Sequence, residues 1–76
     1  MDRLLFVAER NGERFEIVER SGEGFYVLRF ANGKNTHDYL QDDASMALRC
    51  ADDEWGISRQ DWRDALPDES SLWKQP

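Results

Sequence analysis

The sequence predicts an α+β fold: a four-stranded antiparallel meander covered by one amphipathic helix, with a short second helix behind it. Three observations predict it. Runs rich in β-branched and aromatic residues occupy the first forty positions, Asn-Gly and Gly-rich turns separate them, and an apolar stripe of helical spacing comes directly after.

The first three strands are Leu4–Glu9, Phe15–Arg20 and Phe25–Phe30, divided by Asn11-Gly12 and by Ser21-Gly22-Glu23-Gly24. Asn and Gly both tolerate the positive φ of a type I′ turn, so Asn32-Gly33 returns the chain as a fourth strand, Asn35–Leu40. Thr36-His37-Asp38 makes that strand the most polar of the set, and without it the sheet has three strands. Two-residue Asn-Gly turns set Glu9 opposite Arg14 and Phe6 opposite Ile17. A loop centred on Gly22-Glu23 sets Glu16 opposite Arg29 and Ile17 opposite Leu28. In that register one face holds Leu4, Phe6, Ala8, Phe15, Ile17, Tyr26, Leu28, Phe30 and Tyr39. The other shows Leu5, Val7, Val18, Phe25 and Val27 among Arg3, Arg14, Arg20 and Arg29.

The helix supplies the cover that an apolar sheet face requires. Asp42 caps it, Ala44, Ala47, Leu48, Ala51 and Trp55 form a single stripe, and Gly56 ends it. Ser58 and Asp61 then open a shorter helix over Arg59–Leu66, with Trp62 and Leu66 facing inward and Pro67 as its stop. Residues 1–66 thus form one small domain. Residues 67–76, whose large apolar side chains are only Leu72 and Trp73, are expected to be a mobile tail.

Seventy-six residues leave no room for an enzyme of the doubly wound or barrel kind. The net charge of −6 argues against broad affinity for phosphate backbones. Residues 1–37 carry six acids and six bases, whereas residues 38–76 carry ten acids and four bases, so a basic partner is expected on the second half. The single cysteine cannot form an internal disulfide, and neither a signal peptide nor an apolar run of spanning length is present. The expected compartment is the cytoplasm, with no membrane partner.

Candidate chemistry is sparse. Cys50 and His37 could act together as nucleophile and base only by meeting across strand and helix, and a mid-helix thiol has no helix N-terminus to lower its pKa. Cys50 therefore reads as a half-buried small apolar residue. Neither Asp42-Asp43 nor Asp52-Asp53-Glu54 has the alternation of a calcium loop, and no zinc spacing or phosphate-cradling glycine motif occurs. No catalytic, metal or cofactor site is expected.

Two surfaces stand out instead. Asp52, Asp53 and Glu54 lie near a helix C-terminus, where the dipole disfavours acids, and Trp73 sits in an otherwise polar tail. These four residues are the expected partner-binding set. The alternative ligand face is Arg3, Arg20, Arg29 and Phe25, where arginines beside an aromatic suit single-stranded nucleic acid or a small anion. In the inferred register Arg3 and Arg20 face one another. Packing of that second face by the C-terminal segment, or by a second copy in a homodimer, is the further expectation.

The stretch Asp42–Trp62, with Ala47-Leu48, Ala51, Glu54-Trp55-Gly56-Ile57 and Trp62, resembles the closing helix of small uncharacterised bacterial proteins, including some of the immunity type. The resemblance implies a packed helix and no catalytic residue. The function expected from the sequence is a small acidic, non-catalytic protein-interaction module, inhibitory or immunity-like.

Overall fold

A computed structural model describes residues 2–73. Four strands run in meander order, β1 (Asp2–Arg10), β2 (Glu13–Arg20), β3 (Gly24–Ala31) and β4 (Lys34–Gln41). Helix α1 (Ala44–Trp55) comes next, then one 3₁₀ turn (Arg59–Asp61) and a two-residue strand, β5 (Arg63–Asp64). The antiparallel sheet is ordered β4-β3-β2-β1-β5, so the expected α+β architecture is present with one strand added at its edge.

Both Asn-Gly turns take the expected geometry. Asn11 and Asn32 have φ of 53° and 54°, and their glycines 78° and 77°, so positive φ at both central residues matches the twist of the flanking strands. Glu9 pairs with Arg14 and Phe6 with Ile17, as the sequence predicts.

The β2–β3 register differs by one residue. Arg20 pairs with Gly24, leaving a three-residue loop closed by the Glu23 N–H on the Arg20 carbonyl at 3.0 Å. Gly24 thus joins the strand, with φ of 141° and so little room that a Cβ would lie 2.6 Å from the Gln41 carbonyl oxygen. Because side chains alternate along a strand, this single step turns all of β3 over. Glu16 pairs with Leu28 and Phe15 with Arg29, and Tyr26, Leu28 and Phe30 move to the face opposite the helix.

A bulge at Leu5 makes a second correction. Beyond it the pairs are Leu4 with Val18, Arg3 with Glu19 and Asp2 with Arg20. The expected Arg3–Arg20 opposition is replaced by opposite-charge pairs, which cross-strand electrostatics favours.

Helix α1 covers the face carrying Ala8, Phe15, Ile17 and Val27, burying Ala47 and Ala51. Asp43, one residue later than expected, is its N-cap, accepting from the Met46 N–H at 2.8 Å. Gly56 closes it in the left-handed region, as expected, and its N–H reaches the Asp52 carbonyl at 2.8 Å. Ile57 and Trp62 complete this core.

The helix expected over 59–66 is only the 3₁₀ turn. The Ser58/Asp61 capping box does form, but Trp62 is extended and Arg63–Asp64 pair with β1, with the Ala65 N–H donating to the Leu5 carbonyl at 3.0 Å. Helix nucleation is unfavourable over so few residues. Pro67 also disfavours α geometry at Leu66, which is 59% exposed rather than inward.

The close approach at Gly24 yields a test. Gly24→Ala should lower unfolding stability by about 1–3 kcal/mol in urea titrations, whereas Gly22→Ala meets open space at a strained φ and should cost less.

Candidate functional site

Two surfaces emerge, one on each side of the sheet. On the helix side, α1 turns Asp52, Asp53 and Glu54 outward, all exposed. Their position stems from the buried stripe: with Ala47 and Ala51 inward, the residues after Ala51 sweep round to the solvent side. Glu54 accepts a 3.0 Å hydrogen bond from the Tyr39 hydroxyl, which raises that phenol's pKa. Among the described residues no cation lies within ion-pair distance of Asp52, Asp53 or Glu54.

Beneath these acids is a shallow groove of about 250 Å³ lined by Gln41, Met46, Arg49, Cys50, Asp53 and Glu54. Burial, and then the nearby Glu54 and Asp53 carboxylates, raise the Cys50 thiol pKa, so its thiolate is disfavoured. His37 lies against the ring of Trp55 at 5.8 Å and that of Tyr39 at 6.0 Å, and its Nδ1 is 3.0 Å from the Thr36 hydroxyl. Trp55 also meets Phe15 at 5.2 Å. At the helix end the Arg10 guanidinium donates to the Trp55 carbonyl at 2.7 Å, supplying the positive charge that the last turn itself lacks.

The opposite face carries Leu4, Val18, Tyr26, Leu28 and Phe30. Among them stands Glu16, whose side chain is fully buried. It accepts from Arg14 Nε at 2.8 Å, from the Leu72 N–H at 2.9 Å and from the Ser71 hydroxyl. Within the segment 67–76 expected as a mobile tail, residues 69–73 therefore run back over this face, and residues 74–76 lie outside the described residues. Buried carboxylates demand such partners, because the charge is strongly disfavoured without them.

Trp73 ends the described part of the tail in a slot. Its ring lies 4.7 Å from that of Tyr26, and the Arg20 guanidinium sits 4.5 Å from its centroid, a cation–π arrangement. Arg20 is also held by Asp2 at 3.1 Å and by Glu23 at 3.6 Å. Upstream, Glu69 receives two 2.8 Å bonds from Arg63 and one from the Leu66 N–H at 3.0 Å. Together they hold its carboxyl down at about 2 from the ordinary 4.5.

The sequence-derived sets separate accordingly. Asp52 and Asp53 share the helix surface, whereas Trp73 sits on the other side of the sheet. Arg3, Arg29 and Phe25 occupy register positions on the helix-side face, Arg29 paired with Glu13 and bonded to the Thr36 hydroxyl at 2.8 Å. Of the four, Arg20 alone faces away. Sequence reading misses Glu16, because it looks like an ordinary cross-strand charge until the register is known. Among the described residues no three His, Cys, Asp or Glu side chains converge as metal ligands, and no helix is long and apolar enough to cross a membrane.

Comparison with family models, with curated proteins and with solved structures gave no match.

Two features of this geometry can be tested directly. Protonating Glu69 removes the charge that binds Arg63 and Arg14 and weakens its bond to the Leu66 N–H, so tail docking should be intact above pH 4.5 and weaken as pH falls towards about 2. The indole NMR signal of Trp73 checks this, and Glu69→Gln should abolish the change in that window. Cys50 should alkylate slowly at neutral pH in the folded chain and quickly once denatured; equal rates would contradict the raised thiol pKa.

Proposed function

We propose that the chain is a small, non-catalytic protein-interaction module, inhibitory or immunity-like, that engages a basic partner surface through the outer face of α1. The observation that carries this reading is the placement of Asp52 and Asp53. They stand exposed in the last turns of the helix and, among the described residues, form no ion pair even though Arg49 lines the same groove; each acid there opposes the dipole by about 0.3–1 kcal/mol. Arg10 caps the Trp55 carbonyl but, among the described residues, pairs with neither acid, whereas a basic partner would engage both.

Beside the acids, the groove adds a partly apolar foothold in Met46, which is 42% exposed. Charge there would steer encounter and set register, and the groove would supply desolvated contact. The reading includes a cytoplasmic setting and the likeness to small bacterial immunity-type proteins. The arginine-face alternative is the less favoured reading, since Arg20 and Arg29 each have a carboxylate partner and Arg20 faces away from Arg3, Phe25 and Arg29.

The test compares the parent chain with Asp52→Lys, Asp53→Lys, Glu54→Lys as bait at low and high salt. A protein retained by the parent should be lost by the triple variant, its association rate falling about tenfold or more at low salt and the difference narrowing at high salt. Equal retention by both baits overturns the reading, provided circular dichroism shows the variant folded.

A further inference from the structure

On the sheet face away from α1, the tail is attached in an unusual way. Among the described residues, those at 70–73 make no backbone–backbone hydrogen bond to the sheet. They are held through side chains: the Ser70 carbonyl accepts from Arg14 at 3.5 Å, Ser71 and the Leu72 N–H donate to Glu16, and Trp73 packs against both Arg20 and Tyr26. The segment's firm anchor is upstream, at Glu69 on Arg63. Residues 70–73 can therefore lift away without breaking a ladder or the turn that ends at Glu69.

The chemistry of the seat points the same way. A segment needed only as a permanent lid would be best met by an apolar residue at position 16, beside Leu28 and Val7. A fully buried carboxylate is instead selective. It accepts from a hydroxyl and an adjacent backbone N–H, and when they depart it gains water while keeping Arg14. Such a seat favours one kind of segment over others without making the vacant state prohibitive. The tryptophan slot adds the aromatic anchor common to recognition sites.

We propose that this face is a peptide-binding seat, occupied in cis by residues 70–73. In trans it takes an extended partner segment of the same chemistry, with a hydroxyl residue two positions before a tryptophan. Glu16 reads the hydroxyl and the following N–H, and Arg20 with Tyr26 clasps the indole. The seat is separate from the acidic surface of α1 and does not depend on it.

The probe is a fluorophore-labelled synthetic peptide of residues 67–76, titrated by anisotropy against the full chain. With Trp73→Ala, which frees the indole slot, saturable binding is expected; with the parent chain, whose own tail competes at high effective concentration, affinity should be at least about tenfold weaker. Peptides carrying Ser71→Ala or Trp73→Ala should each bind at least about tenfold more weakly, a control that leaves the protein untouched. No binding to a Trp73→Ala chain with parental circular dichroism would overturn the proposal. Equal binding to both chains, or indifference to the peptide substitutions, would overturn it as well.

Discussion

The alternation along β2 is the constraint on which the rest of the structure depends. As the strand between β1 and β3, it sends Phe15 and Ile17 towards α1 and Glu16 and Val18 to the other side. Each neighbour must match that choice, and each does so with a local device. The Leu5 bulge lets β1 present Leu4 beside Val18 and Phe6 beside Ile17. Gly24, in a conformation and space that suit only glycine, lets β3 present Val27 to the helix and Leu28 to Glu16. Both devices trade regular pairing for correct facing.

The two faces are then closed by different physics. Towards α1 the closure is apolar, with Ala47 and Ala51 letting the helix approach the sheet and Ile57 and Trp62 filling the end. On the other side the closure is polar at its centre, where Glu16 gathers Arg14, Ser71 and Leu72. An apolar seal is non-directional and tolerates similar shapes; a buried carboxylate accepts only donors in place. One face is accordingly a core, and the other has the character of a recognition surface.

Charge is distributed along the same division. Many of the β-sheet's acids and bases are consumed in pairs such as Asp2–Arg20, Glu13–Arg29 and Arg14–Glu16. Among the described residues, those of the outer helix face are not, and Arg10 is spent on the Trp55 carbonyl rather than on a carboxylate. The field outside α1 is therefore negative in a chain whose net charge is −6.

The strands, both Asn-Gly hairpins, the helix with its alanine stripe and Gly56 stop, and the acidic surface are legible in the sequence, because each rests on interactions within a few residues. What one residue of loop length decides is not legible there. Ser21-Gly22-Glu23-Gly24 supports loops of three or four residues equally well by composition, and the fold takes the shorter one, with Gly24 where a Cβ would meet the Gln41 carbonyl. That choice turns β3 over, takes Phe25 and Arg29 to the helix side and sets Leu28 beside Glu16. The sequence by itself determined β1 to β4 and α1, since propensity, periodicity and turn chemistry are local, but not β5, which stands where a short helix was expected. The sequence raised packing of the second face by the C-terminal segment as one expectation, but only the tertiary structure decided register, facing and which residues dock on what, since those depend on contacts between residues far apart in the chain, as when Glu16 meets Ser71.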